Sequence, residues 1–551
     1  MSGPASLSAS PSHGEPPMTA AESRAITWRV IGVIGVLAVL RICFLHIVPL
    51  DLAADEAYYW DWSRQLDWGY YSKPPMIAWI AFVSTWCGGL SEPVLRTPAV
   101  LCGALALWAV FGTARAMYGA RVGWWSFLTA VATPGNAAMS LFMTIDAPFL
   151  CAWCFAVWCV WELFRSDQPA ARWLPLAIVC TGVGLLSKQT MLALIPLTGL
   201  WLILRTERRA YPWKTYAIWS TGSLSFCLPA LVWNLTNGWL TVQHTREHFQ
   251  WRDMPWTRHL TFYAEFAASQ AGIVSPVIYL LITLLSVAAL FTWRRQADRE
   301  RFVLCLGLIP LLAITGLSFL QRIQPNWPVA FHMTGMILLA AWACDACSSL
   351  WMTSRRRLWF GASLATGAAF VLAFYAAPLV MPHTSFIGGE LDPLSRLRGW
   401  KNLAAAIHEL RPEINAPAQP LIVTMSGRGV VSELAFYLPD HPRVYHWNAA
   451  GTIVSQHDVW GGPKQIQNDD ALLVTASGQP VPDAFLNACT SAEFVQTVRQ
   501  ERGGQRHDDY DVWIVHQLRE WPTPTGSEVP RADSRFLSRV ANQRRPAERP
   551  L

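Results

Sequence analysis

Charge is scarce in this sequence: Asp, Glu, Lys and Arg make up 15% of 551 residues, while hydrophobic residues make up 52%. So little charge cannot coat a soluble protein of this size, and 30 tryptophans cannot be buried in one aqueous core. A polytopic membrane protein is predicted. The first 26 residues, rich in Ser, Pro and Ala, lack any apolar core, so no cleavable signal is expected and they read as a short disordered cytoplasmic tail. The twelve cysteines form no framework. Cys151/Cys154 and Cys344/Cys347 sit at helix-neighbour spacing inside apolar runs, where packing is the expected role. The net charge of +6 does not point to nucleic acid, because the basic residues concentrate in short loops between apolar runs, which reports topology.

Apolar runs occur at 27–50, 96–117, 122–140, 147–164, 173–187, 189–205, 214–234, 271–293, 302–320, 327–347 and 358–380, which predicts about eleven transmembrane helices. With the amino terminus cytoplasmic, Arg115/Arg121, Arg165/Arg172, Arg205/Arg208/Arg209/Lys214, Arg294/Arg295/Arg299/Arg301 and Arg355–Arg357 all fall inside, as the positive-inside bias requires. The outer side then holds 51–95, 139–146, Lys188, 235–270, 321–327 and everything after Met381. Segment 76–89 is apolar but short and is expected to lie in the interface. Past Met381 the composition becomes globular, with strand-like runs Leu421–Met425, Val444–Trp447, Ala471–Ala476 and Asp511–Gln517 and a helix near Gly399–Leu410. The predicted organisation is a cytoplasmic tail (1–26), a mainly α transmembrane domain (27–380), a soluble α/β periplasmic domain (381–520) and a disordered tail (521–551).

The residues able to do chemistry gather on the outer side. Asp55 and Glu56 open the first loop, DLAADEAYYWDWSRQLDWGYYSKPP, which also carries Lys73 and a row of aromatics suited to sugar faces or an interfacial belt. Asp146 stands in TIDAP and Lys188 in GLLSKQT; such charges at helix ends normally face a polar cavity. Carboxylates paired with ammonium groups suit transfer of a sugar from a lipid phosphate to a hydroxyl: one carboxylate takes the acceptor proton while cations neutralise the departing phosphate. The 235–270 loop adds Arg246, Arg252 and Arg258, and the QPNWP turn offers Gln324, Asn326 and Trp327 for hydroxyl groups. His244 and His248 have the spacing of a helical metal pair without an identifiable third ligand, so no cofactor or metal is expected. The bland alternative is that the first-loop acids cap a juxtamembrane helix and the aromatics anchor it.

DEAYYWDWSRQLDWGYYSKPP, then TIDAP, GLLSKQT and QPNWP, resembles the bacterial membrane glycosyltransferases related to dolichyl-phosphate-mannose protein mannosyltransferases and to the lipid A aminoarabinose transferases. RLRGWKNLAAAI and SELAFYLPDHPRVYHWN are similar to the outer domain of bacterial members. The resemblance implies a multispan fold of the GT-C type in the inner membrane, a polyprenyl-phosphate sugar donor, inversion at the anomeric carbon, and a glycolipid (lipid A or its core), another envelope glycan or a protein as acceptor. It implies that Asp55 is the essential first-loop acid, Asp146 the second acid, and Lys73 and Tyr70 contacts of the lipid phosphate. Two positions depart from the aminoarabinose transferases: their acid before the KPP lysine is Ser72 here, and their arginine three positions after the first acid is Tyr58. Tyr58 is kept among the substrate-binding candidates. The missing cation leaves room for Lys188 or an arginine of the 235–270 loop. A transporter or flippase of lipid-linked sugars is the rival class, but the internal repeats and mid-membrane charges expected of one are missing.

Overall fold

The protein was analysed as a computed structural model, which describes residues 18–48, 50–165, 171–206, 213–247, 255–347, 354–389, 392–411, 420–466, 469–504 and 506–524. Most of the two tails expected to be disordered lies outside the described residues. Helix α1 (Ala20–Ile47) leads into the first-loop helix α2 (Ala54–Ser63) and the apolar α3 (Met76–Gly88). Then come α4 (Glu92–Tyr118), α5 (Ala120–Val131), α6 (Pro134–Met139), α7 (Asp146–Phe164), α8 (Trp173–Ser187) and α9 (Leu194–Leu204). The bundle continues with α10 (Trp213–Leu224), α11 (Leu228–Thr236), α12 (Leu240–Glu247), α13 (Trp256–Val274), α14 (Pro276–Phe291), α15 (Asp298–Leu306), α16 (Leu308–Leu320), α17 (Val329–Ala343) and α18 (Arg356–Val380).

Every apolar run read from the sequence holds a helix, but many are interrupted. Five helices or continuous helix pairs among the described residues are long and apolar enough to cross a membrane, six if the bent pair α13–α14 is one span. The breaks follow proline, which removes an N–H donor and restricts the residue before it: Pro134 opens α6, Pro229 lies in the first turn of α11 and Pro276 opens α14. Residues 256–270, read as loop, belong to α13 instead, and it meets α14 at 109° through Ser275 in a left-handed conformation (φ 84°). At 13 residues α3 extends about 20 Å, too little to cross a bilayer.

Beyond α18 the chain builds a five-stranded sheet. In chain order its elements are α19 (Trp400–Leu410), β1 (Leu421–Thr424), α20 (Arg428–Tyr437), β2 (Val444–His446), α21 (Gln456–Trp460), β3 (Asp469–Ala476), α22 (Asp483–Leu486), β4 (Ser491–Gly503) and β5 (Arg506–Leu518). The strand order is β2-β1-β3-β5-β4, with β1 parallel to both neighbours and β5 antiparallel to both of its own. The sequence reading misses β4, an edge strand whose residues are mostly polar and mostly exposed and so carry no apolar alternation.

The first loop is interior to the fold. Its Leu52, Ala57 and Trp60 share one apolar cluster with Leu403, Ile407, Leu434 and Val512 of the sheet domain, and the Trp60 ring meets Phe436 edge-on at 4.9 Å. Within this joint core lies Glu433 of α20, fully buried, with no hydrogen-bond partner on either carboxylate oxygen. Burial pushes its carboxyl well above the ordinary range, and the charges of Asp51 and Glu56 push the same way while Arg96 opposes them. A raised folded-state value means full stability below the unfolded glutamate value and a loss as pH climbs towards the folded one. Glu433→Gln is therefore expected to raise the melting temperature at about pH 7.5, and the gain should vanish at about pH 4. Thermal unfolding in detergent across this range checks it; an equal gain at both pH values would count against the buried, protonated acid.

Candidate active site

Asp55 and Glu56 are neighbours on α2 and so point about 100° apart around its axis. Glu56 turns back into the protein. Its oxygens accept from the Ala53 N–H (2.9 Å), the Met143 N–H (2.9 Å) and the guanidinium of Arg96 (2.7 Å at the closest). Arg96 in turn donates to the carbonyls of Leu50 (3.0 Å) and Asp51 (2.8 Å). The capping role weighed for the first-loop acids thus describes Glu56, whose carboxylate is spent on the scaffold rather than turned to a substrate.

Asp55 faces the other way, half exposed, and accepts from Arg428 Nη2 at 2.9 Å. Arg428 is the first residue of α20. That helix comes so close to α2 that a Cβ on Gly429 would stand 3.0 Å from the Ala54 Cβ, so glycine there sets the approach. The Arg428 guanidinium also lies 5.0 Å from the centre of the Tyr58 ring. The sequence reading did not single out this arginine.

The second acid is assembled from three separate segments. Asp146, buried at the start of α7, accepts from Lys188 Nζ at 2.7 Å and from Asn326 Nδ2 at 2.6 Å. Lys188 ends α8 in extended backbone and is also buried, with its ammonium 5.4 Å from the Phe149 ring. Asp146, Lys188 and Asn326, each a candidate from sequence, therefore meet in space.

Lys73 and Tyr59 join the two acids. Burial pulls the Lys73 ammonium below the ordinary lysine range, the charges of Lys188 and Arg428 add to this, and Asp55 and Asp146 oppose it. Burial holds the Tyr59 phenol well above its ordinary value, reinforced by Asp55 and Asp146 and opposed by Arg428. Asp55, Asp146, Lys73, Lys188 and Arg428 are thus one electrostatic cluster: two carboxylates and three cations with Tyr59 between them.

Other candidates sit elsewhere. Tyr70 is fully buried against Trp62, their rings stacked at 4.4 Å, and its hydroxyl donates to the Gln65 carbonyl (3.1 Å) while accepting from the Asp67 N–H (3.1 Å), so it braces the loop. The Tyr70 hydroxyl is thus turned into the loop, whereas Tyr58, Tyr59 and Tyr71 lie within the influence of Arg428. Tyr58 is also buried, and its hydroxyl accepts from the Gln456 N–H at 2.5 Å. Arg246, Arg258 and Gln324 are exposed, and Arg258 lies over the Phe262 ring. His248 and Arg252 lie outside the described residues, and no group of three metal-ligating side chains occurs among the described residues.

Residues 72–233 match the family model described as dolichyl-phosphate-mannose-protein mannosyltransferase. The chain is 31% identical over 306 residues to the lipid A galacturonosyltransferase RgtD of Rhizobium johnstonii, a match spanning 55% of this chain and 62% of that protein. It is 24% identical over 406 residues to the undecaprenyl phosphate-alpha-4-amino-4-deoxy-L-arabinose arabinosyl transferase of Pectobacterium carotovorum, covering 66% of this chain and 69% of that one. The solved structure of ArnT from Cupriavidus metallidurans bound to undecaprenyl phosphate superposes with a TM-score of 0.55 at 16% identity, over 91% of this chain and all of that one. The resemblance read from the first-loop motif is borne out, and the fold is that of ArnT.

Removing the Glu56 carboxylate strands Arg96 in the interior. Glu56→Ala is expected to destabilise the fold by ~3–5 kcal/mol, as loss of one partner of a buried pair does, whereas Asp55→Asn should leave stability near wild type. Detergent-solubilised folded yield and unfolding temperature, compared for the two variants, check this.

Proposed function

We propose that the protein is an inverting glycosyltransferase of the bacterial inner membrane, moving a monosaccharide from a polyprenyl-phosphate donor to an envelope acceptor at the outer face. The observation that carries the reading is the cluster itself: Lys73, Lys188 and Arg428 gathered around Asp55 and Asp146 at one end of the bundle. Cations so placed fit a lipid phosphate, and the concentration of charge at one end speaks against a transport path. The relative named lipid A galacturonosyltransferase favours lipid A or its core as acceptor. The topology that fits has eleven spans, with the amino terminus cytoplasmic and the sheet domain, from 381 to 520, periplasmic. Its support is that Arg115, Arg165, Arg172 and Arg355–Arg357 stand at the helix ends remote from the cluster.

In this mechanism the Asp55 carboxylate takes the proton of the acceptor hydroxyl. The acceptor oxygen bonds to the anomeric carbon from the face opposite the phosphate, the carbon–oxygen bond to phosphate breaks, and its electron pair leaves on the polyprenyl phosphate. Lys73 holds that phosphate, with Lys188 and Arg428 neutralising the charge that grows on it. Arg428, paired with Asp55, takes up the cationic role left vacant at Tyr58. Asp146, held by Lys188 and Asn326, orients the acceptor and balances charge; Glu56 sets the loop. Purified protein given a polyprenyl-phosphate sugar and lipid A, with products read by mass spectrometry and their anomeric configuration by NMR, should yield sugar-bearing lipid A of inverted configuration. Asp55→Asn should lower the rate by ~10²–10⁴-fold with donor binding kept. Arg428→Ala should lower it by roughly 10- to 100-fold, the range of a charged hydrogen bond. Near-normal transfer by Asp55→Asn, or a retained configuration, refutes the mechanism.

Donor binding should depend on pH through Lys73. Its ammonium deprotonates below the ordinary lysine value of 10.5, so affinity for undecaprenyl phosphate should fall as pH rises through that depressed value. Lys73→Arg keeps its charge and should extend binding to higher pH. A binding titration against pH on both proteins measures the shift; identical alkaline limbs would give the phosphate to Lys188 and Arg428 instead.

A further inference from the structure

Helices α7 and α8, whose one end holds Asp146 and Lys188, enclose a cavity with α4 at their other ends. Arg96 lies near the cluster end of α4 and Arg115 in its last turn, which places them about 28 Å apart along the axis, close to the thickness of a bilayer's hydrocarbon core. Asp146 starts α7 and Arg165 follows its end; Lys188 follows the end of α8 and Arg172 precedes its start. Between these remote ends is a cavity of ≈ 790 Å³, within the size range of ligand sites.

Its walls are apolar and aromatic. Trp108 and Phe111 of α4 face Phe155 and Trp158 of α7 and Trp173 of α8. The floor is built by an absence: the Trp158 ring lies where a Cβ on Gly112 would come within 2.6 Å, so bare backbone lets it lie flat against α4. Trp173 packs 6.1 Å from Trp158 and closes the far side.

Its mouth is cationic. Of the charged residues there, Glu162 is neutralised by Arg165 Nε at 2.7 Å. Arg115 donates to the Thr27 hydroxyl at 3.1 Å, and the Arg172 guanidinium lies 5.0 Å from the Trp173 ring. Neither has a carboxylate partner among the described residues. Two guanidinium groups over an aromatic slot of this size match one kind of molecule: a phosphodiester for the forked donors and a hydrocarbon chain for the slot.

We propose that this cavity binds one acidic phospholipid of the bilayer, its acyl chain between α4, α7 and α8 and its phosphate at Arg115 and Arg172. The bound lipid replaces packing that the three helices lack at this end. The site takes no part in sugar transfer and does not rest on the proposed reaction.

Native mass spectrometry of the full chain, released from micelles containing equal amounts of phosphatidylglycerol and phosphatidylcholine with the same acyl chains, tests it. The wild type should retain one phosphatidylglycerol in preference to phosphatidylcholine by roughly 10-fold or more, as two basic contacts to an anionic lipid supply. R172Q, a change at an exposed helix start, should reduce the preference, and R115Q/R172Q should abolish it. Sugar transfer by these variants should persist, so the two readings fail separately. Equal retention of both lipids by the wild type, or an unaltered preference in R115Q/R172Q, overturns the site.

Discussion

The pairing of Glu56 with Arg96 is the interaction on which the site's geometry depends. Two charges removed from water are costly unless every donor and acceptor is met, and here they are met by the backbone of the segments that must be aligned: Leu50, Asp51, Ala53 and Met143. The pair therefore fastens the segment after α1, the start of α2, the second turn of α4 and the turn before α7 to one another. Because Glu56 is committed inward, its neighbour on the helix is turned to the open side. Asp55 owes its direction to a neighbour whose own carboxylate is engaged by the scaffold.

The sheet domain is joined to the same loop through polar contacts as specific as the apolar core beneath them. Tyr58 and Tyr71 are both tied to Gln456, Asp61 lies 2.8 Å from His457 Nε2, and Arg64 reaches the carbonyls of His441 and Pro442. The loop thus has a bundle-facing side held by Arg96 and a domain-facing side held by α20 and α21. Lys73, half-buried in the same loop, stands among the charges of Asp55, Asp146, Lys188 and Arg428.

How much of this was legible in the sequence depended on whether a signal was local. Helix positions were, because a long apolar run is a local property; their breaks at Pro134 and Pro276 were legible in kind but not in consequence, since a 109° bend needs a neighbour to pack against. Asp146, Lys188 and Asn326 could be selected singly as polar residues at the ends of apolar runs, yet nothing in their spacing says that they touch. Arg428 was invisible for the opposite reason: an arginine in a polar turn of a globular domain is ordinary, and only the close approach of α20 to α2 gives it a carboxylate partner. Arg96 carried a signal that was passed over, a lone charge inside an apolar helix. For Tyr70 the motif fixes its place in the chain, while the stack on Trp62, which no spacing announces, fixes where its hydroxyl goes.

The contact between Asp55 and Arg428 spans 373 positions of the chain. A ribosome that has inserted every helix of the bundle has still to make the sheet domain, so the nascent bundle carries Asp55, Lys73 and Lys188 without the guanidinium that pairs with Asp55. The ionic cluster is therefore assembled last, when the final part of the chain folds back onto the first.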